Sequence, residues 1–573
     1  MRPDHGSCLR NTRARLSFPV TTGVITSEFI DGPNTTDGNE LLYMFKKLYV
    51  LLFLLVLFEP AFSAEYMICT KCDPAPNNGI KPHEQLQAGD VVTEIVGLKP
   101  ANDISFFEKF AKTTTRLKRF PCKVMRNGKE FPVSYSASDY TDWSFIDDTP
   151  TTIYSKDLMT DLDDLFYYLE QVYILNEKTN DTGYRRSKEE LIDFFSRRER
   201  YNLSEVYLKL ADFLTRFEDG HLRIEYDALM TELMKYWYLR DQGTFPLDIQ
   251  TYRGKFYLQL PSGTRKAIVQ LLSINDRPIE HIIADMRTKI SGDSVAHKDS
   301  FIVDNFPILY SWIFGYAPEY TLGYKENRTT EHTVVTAGVP DHLLRKPSSI
   351  GFWTIKNNIG VLTINGFNND GSFKSLVVDS FDSARENQLP AVVIDIRDNR
   401  GGSSEALAFL MLFIEDRPFT IYERYRYRQP NEHKDNENKR TWHDKGIGEK
   451  VVTPDMYTET GAEVYKGLIY LLTSGRNYST ALDCIIAMKN RGNTTTIGQR
   501  CGGKLISTGN TMNWTGPKTG VRVMFPVSLY YPLNYREFLN KDSLEPDIFM
   551  ENMPFTMRDS ILDKALKMGN RTQ

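Results

Sequence analysis

The chain has 573 residues, a length that fits three or four units of about 150 residues each. Hydrophobic residues make up 41%, charged residues 25% and aromatics 12%, a balance that excludes a disordered chain. Lys and Arg total 70 against 74 Asp and Glu, so the net charge of −4 offers nucleic acid no global basic field.

Near the start, Met44-Phe45-Lys46-Lys47 leads into the apolar run Leu48 to Phe58 and then into small residues around Ala61 and Ser63. A basic start, a short apolar stretch and a small-residue cleavage site make residues 44–63 a secretory signal peptide. The run is well short of the ~20 apolar residues that a spanning helix needs. A secreted or periplasmic protein with no integral membrane segment after cleavage is expected. Met44 is expected to be the true start, and residues 1–43 a non-native N-terminal extension.

Six cysteines are too few to build a disulfide scaffold in a chain this long. Cys69 and Cys72 have CxxC spacing, but no second ligand pair follows at a distance suited to zinc, so two thiols or a local disulfide is expected and no metal.

Residues 78–137 combine the turn Gly89-Asp90, the apolar stretch Val91 to Ile95, a helix near 103–113 and a hairpin about Asn127-Gly128. The phrases AGDVVTEI and RNGKEFPV resemble a PDZ domain. From 155 to 235 the chain turns helical, with Leu158, Leu162, Leu165, Leu169, Val172 and Tyr173 at steps of three and four. A second helix runs from about Leu203 to Phe217 and stops at Glu218-Asp219-Gly220-His221, which leaves His221 on a turn. Residues 246–325 hold strands at Phe256 to Leu260 and Ala267 to Ile274 and a helix to about Lys289. The phrase LLSINDRPIEHII there resembles a PDZ core more loosely.

From 350 to 570 strands alternate with helices: Ile359 to Ile364, Ser372 to Glu386 (helix), Ala391 to Ile396, Ser404 to Glu415 (helix), Leu468 to Thr473 and Thr480 to Lys489 (helix). Continuously apolar strands separated by helices predict a mostly parallel sheet covered on both faces, an α/β domain. The polar stretch from Arg424 to Lys450 is expected to be a mobile surface excursion or lid.

Three spots carry chemistry. Val392 to Gly402 is a buried strand running into a Gly-Gly turn before a helix, where exposed N–H groups suit a developing oxyanion. Ser479 sits where an apolar strand ends and a helix begins, a place for a nucleophile or for an ordinary N-cap. His221 follows a well-patterned helix, where a histidine is ordinarily a surface or structural residue.

Taken together, VVIDIRDNRGG, LLTSGRNYSTA, TTIGQRCGGK and LEPDI resemble, in order and spacing, the C-terminal-processing and tricorn-type serine peptidases, and EDGH resembles the histidine motif of the tricorn-like branch. The resemblance covers roughly residues 155–565. It implies a crotonase-like (ClpP/crotonase) core with an N-terminal helical cap and PDZ-like β-rich modules. It further implies Ser479 as nucleophile, with Gly401, Gly402 and Thr480 on the oxyanion side. Two bases match, His221 of the tricorn-like branch and Lys504 of the tail-specific branch. His221 is favoured because an imidazole titrates near neutral pH, whereas the segment around Lys504 has no apolar wall to lower an ammonium pKa. Leu482 stands where the family usually has an acidic residue, and the Gly-Gly-Lys phrase lacks the Gly that follows it in the Lys-using branch. A carboxylate to orient the histidine is expected between Glu537 and Glu545, with Asp542 and Glu545 as candidates.

The expected activity is hydrolysis of peptide bonds in protein or peptide substrates, with no cofactor. The alternatives are a non-catalytic ligand- or peptide-binding protein on the same scaffold, as the resemblance of retinoid-binding relatives to this family allows, and an acyl-CoA enzyme, which the secretion signal opposes.

Overall fold

The computed structural model describes residues 65–73, 91–100, 109–110, 119–126, 129–136 and 140–147, and then most of the chain from 151 to 572. Within that last stretch, 227, 230–242, 261–266, 327–328, 339–349, 431–446, 458–462, 539–540 and 542 are excepted. The expected signal peptide, the extension before it and Asp542 therefore lie outside the described residues.

The sheet that carries the site has the strand order Gly351–Lys356, Ile359–Ile364, Ala391–Asp395, Leu468–Thr473, Thr494–Gly498, Ile548–Phe549. All neighbours are parallel except the first pair. Period-two alternation divides its side chains between two cores. Leu362, Ile364, Val392, Ile394, Ile469 and Leu471 pack with the helices Gly371–Glu386, Ser404–Met411 and Thr480–Asn490. Val361, Val393, Tyr470, Leu472 and Ile497 pack instead with Ile561, Ala565 and Leu566 of the helix Ser560–Gly569. Burial on both faces is why the inner strands Ile359–Ile364, Ala391–Asp395 and Leu468–Thr473 are largely apolar.

A second, antiparallel sheet has the order Ile447–Val452, Tyr422–Pro430, Arg522–Pro532, Ser507–Thr515, and the short strand Arg223–Ile224 just after His221 pairs with Val523 and Met524. The expectation of a mobile excursion over Arg424 to Lys450 is corrected at its two ends, which are strands, while its middle, 431–446, lies outside the described residues. Tyr422–Pro430 is an inner strand whose arginines have partners: Arg428 donates to the Gln171 carbonyl and, at 2.7 Å, to Asn176, and Arg426 lies 3.5 Å from Glu177. Composition alone hid a strand whose arginines find partners in the helical region and, through Glu449, in the neighbouring strand.

That helical region contains Ser155–Tyr167, Thr182–Ser196 and Leu203–Thr215. The stripe from Leu158 to Tyr173 is buried throughout. After Tyr167 the first helix widens into a π turn, Tyr168–Val172, which delivers the Tyr173 hydroxyl to the site. Asn202 and Glu205 form a reciprocal capping box at the third helix, fixing where the chain enters the helix that leads to His221.

Three further sheets complete the described part, the smallest of them the antiparallel pair Thr152–Tyr154 and Arg200–Asn202. Strands from Glu65–Asp73 to Tyr140–Asp147 form a five-stranded antiparallel sheet, in which Arg119–Arg126 and Lys129–Ser136 pair as a hairpin. A six-stranded sheet spans Ile249–Tyr252 to Thr329–Thr336 and carries the helices Ile279–Arg287 and Val295–Phe314. Among the described residues no helix is long and apolar enough to cross a membrane.

Asp161, fully buried on the first helix, accepts the Thr519 N–H at 2.8 Å, the Thr519 hydroxyl at 2.6 Å and the Lys518 N–H at 3.1 Å. It ties the helical region to the turn between two strands of the second sheet. Asp161→Ala removes the acceptor of all three donors, so denaturant unfolding should show a loss of about 2–3 kcal/mol. An unchanged midpoint and slope would show that the turn stands without this contact.

Candidate active site

The loops that follow strands Ala391–Asp395 and Leu468–Thr473 leave the same end of the sheet and are laced together by two fully buried asparagines. Asn399 donates to the Ile364 carbonyl at 3.2 Å and accepts the Gly401 N–H at 2.8 Å. Asn477 donates to the carbonyls of Ile396 and Asn399 and accepts the Ser474 N–H at 2.7 Å. The Asn positions of both sequence phrases are thus explained by backbone amides that have no other partner at a crowded strand end.

The Gly401-Gly402 turn lies directly against Ser479. A Cβ on Gly401 would come within 2.9 Å of the Ser479 Cβ, and one on Gly402 within 2.2 Å of the Phe367 carbonyl oxygen. Both glycines have positive φ, 114° and 137°. Gly401's own N–H is engaged by Asn399, so among the oxyanion candidates Gly401 contributes close approach, not a donor. The N–H groups of Gly402 and Thr480 have no hydrogen-bond partner among the described residues, and the Thr480 hydroxyl donates to the Gly402 carbonyl at 2.7 Å.

Ser479 precedes the helix Thr480–Asn490 with φ 54° and ψ −135°, and its hydroxyl makes no capping bond. The ordinary N-cap reading fails because this backbone turns the side chain away from the helix. Its Oγ lies 3.3 Å from His221 Nε2.

His221 is held by its surroundings on every side. Its backbone N–H donates to Asp219 Oδ1 at 2.9 Å, and its Nδ1 lies 3.1 Å from Thr508 Oγ1 and in close contact with the Tyr478 hydroxyl. The ring packs against Tyr478 at 4.4 Å with a tilt of 33°, and His297 packs against Tyr478 at 4.1 Å with a tilt of 31°. Thr508 donates to Asp219 Oδ1 at 2.7 Å, and Tyr173 donates to Asp219 Oδ2 at 2.8 Å. Asp293 accepts the N–H groups of Gly220 at 2.8 Å and Lys504 at 3.0 Å. Gly220 admits no side chain, because a Cβ would sit 2.5 Å from the His297 ring.

The other sequence candidates lie elsewhere. The Lys504 ammonium donates to the Glu218 carbonyl at 2.7 Å, so the nitrogen beside Ser479 is imidazole and not ammonium. Glu545 is exposed and paired with Arg500, and its assignment as the orienting carboxylate is corrected: Thr508 and Tyr478 occupy the far side of the imidazole. The sequence marks none of Thr508, Tyr478, Tyr173 and Asp293 as a site residue; Tyr173 stands there only as part of the helical stripe. Only Asp219 carried a signal, through its place two residues before His221.

Among the described residues no group of three or more His, Cys, Asp or Glu is arranged to hold a metal ion. A cavity of about 340 Å³ lined by Arg397, Arg476, Gln499 and Met553 excludes Ser479 and His221, and both arginines are paired with carboxylates.

Residues 358–550 match peptidase family S41. The chain carries an S41 peptidase domain. It is a serine-type peptidase. No curated protein matches the chain. Among solved structures it is similar in fold to mature CPAF (16% identity, TM-score 0.51, 69% of this chain and 92% of that one) and to mature CPAF complexed with lactacystin (16%, TM-score 0.52, 73% and 97%).

Burial, with Arg223 adding to it, pushes the His221 imidazole down to about 3, so the ring is neutral at neutral pH. Burial likewise lowers His297 to about 3, with Arg400 and His221 contributing. An unfolded histidine takes its proton near 6.5, so between pH 6.5 and 3 the unfolded chain binds protons that the folded chain refuses, and stability falls as pH falls through that window. Asp293, raised to about 6 by burial and by the Asp219 charge, and Asp483, raised to about 7 by burial, act in the opposite sense. His297→Gln, uncharged at every pH, should make the loss of stability from pH 6.5 to pH 4 shallower in thermal unfolding. A curve parallel to wild type would assign the pH dependence to other groups.

Proposed function

We propose that the chain is an endopeptidase in which Ser479 attacks the scissile carbonyl and His221 is the general base. The single observation that supports this most is the 3.3 Å approach of Ser479 Oγ to His221 Nε2, made by two residues far apart in the chain. A non-catalytic binding protein on the same scaffold has no need of that approach.

The chemistry follows from the neighbours. Nε2 takes the Ser479 proton as the Oγ–C bond forms, and returns it to the leaving amine as the peptide C–N bond breaks. Negative charge developing on the carbonyl oxygen is met by the N–H groups of Gly402 and Thr480, dipoles already in place before reaction. A water then repeats the sequence on the acyl-enzyme.

The parallel sheet with its flanking helices is taken as the crotonase-like core, and the antiparallel sheets spanning 65–147 and 249–336 as the PDZ-type modules. The expected leader at 44–63 makes the working compartment extracytoplasmic.

Ser479→Ala should abolish both casein hydrolysis and labelling by a fluorophosphonate, with unfolding nearly unchanged because the hydroxyl caps nothing. His221→Ala should lower turnover by several orders of magnitude, and Lys504→Ala far less. Near-normal His221→Ala alongside an inert Lys504→Ala would instead establish a Ser-Lys dyad.

A further inference from the structure

Behind His221 stands a carboxylate that does not touch the ring. Asp219 is 2% exposed and its charge is answered by three donors: the His221 backbone N–H, the Thr508 hydroxyl and the Tyr173 hydroxyl. A carboxylate only accepts, so in the 2.7 Å contact the single Thr508 proton belongs to the bond toward Asp219. What Thr508 presents to His221 Nδ1 at 3.1 Å is therefore a lone pair. That contact is a hydrogen bond only when Nδ1 carries the proton, which leaves the Nε2 lone pair facing Ser479.

The Tyr478 hydroxyl reaches the same Nδ1. Were it the donor, the proton of the neutral ring would sit on Nε2, pointed at Ser479, and the imidazole could accept nothing from the nucleophile. Two hydroxyls thus compete to set the tautomer, and only one is anchored to an anion.

We propose that Asp219, acting through the Thr508 hydroxyl, is the positioning carboxylate of this site, so that the working constellation is Ser479, His221, Thr508 and Asp219. This rests on the reading of Ser479 and His221 above. During attack one proton moves, from Ser479 Oγ to His221 Nε2; the Nδ1 proton stays on the ring, and neither Thr508 nor Asp219 changes protonation. The imidazolium then lies one hydroxyl away from a buried anion, which offsets the burial that otherwise disfavours its charge.

The test uses the full chain and a fluorophosphonate probe, reading kinact and KI separately, with thermal unfolding alongside. Thr508→Val keeps the shape and removes the relay; kinact should fall by about 10²–10⁴-fold, toward the loss seen when a triad carboxylate is neutralised, with KI little changed. Thr508→Ser, which restores the hydroxyl, should recover most of the rate. Tyr478→Phe should cost less than Thr508→Val. Asp219→Asn should match Thr508→Val, and if it fails to fold the Thr508 pair decides alone. A wild-type kinact in Thr508→Val, no recovery in Thr508→Ser, or a larger loss in Tyr478→Phe than in Thr508→Val overturns the relay. If His221→Ala itself keeps its rate, the Ser479–His221 reading has failed. If His221→Ala is inert and Thr508→Val is not, only the relay has.

Discussion

A carboxylate nearly sealed from water must have its charge answered by the protein, and Asp219 meets this requirement with donors from separate parts of the chain. Tyr173 comes from the end of the first helical segment, Thr508 from the second sheet, and the third donor is the backbone of His221 itself. The loop that carries the imidazole is thereby fixed to the helical region and to the sheet at one point. Once it is fixed, the neighbouring choices narrow. Gly220 must be glycine because the His297 ring fills the space of its side chain, and the Gly220 amide, turned inward, needs the acceptor that Asp293 supplies.

Asp293 and Asp304 extend this logic to the six-stranded module. Asp293 holds the loop before His221 and the loop at Lys504. Asp304, on the helix Val295–Phe314, accepts from Arg476 and Arg400, which flank the nucleophile and the Gly-Gly turn. Burial alone would raise Asp304, but the hydrogen bonds and charges of these arginines hold it below the usual carboxylate range. The module is therefore joined to the site by charged groups that are already satisfied, and any change in its seating is felt at both catalytic loops.

Much of the peptidase domain was legible in the sequence because burial on both faces writes itself as uninterrupted apolar strands. Ile359–Ile364 and Leu468–Thr473 have the bounds read from the residues alone, and Ser479 and the Gly-Gly turn could be placed at strand ends from the same pattern. What could not be read is what the antiparallel sheet brings together. Thr508 sits in an unremarkable polar stretch, and nothing local distinguishes its hydroxyl from its neighbours'. Glu545 lies in the stretch of chain where the resemblance places a carboxylate, yet its side chain is exposed and pairs with Arg500. The strand Tyr422–Pro430 was missed for a related reason: alternating Arg and Tyr read as solvated polarity when the arginines are answered by a distant helix.

The contacts that make the site join residues very far apart in sequence: 258 positions separate His221 from Ser479 and 289 separate Asp219 from Thr508. Each such closure carries a loop entropy that has to be met before any contact forms, so local helices and hairpins precede it during folding. As the chain leaves the ribosome, His221 is made long before either the nucleophile or the hydroxyl behind it, and a partly synthesised or half-folded chain holds no assembled site. Latency during biogenesis then needs no inhibitory segment; it is a property of where the parts lie along the chain.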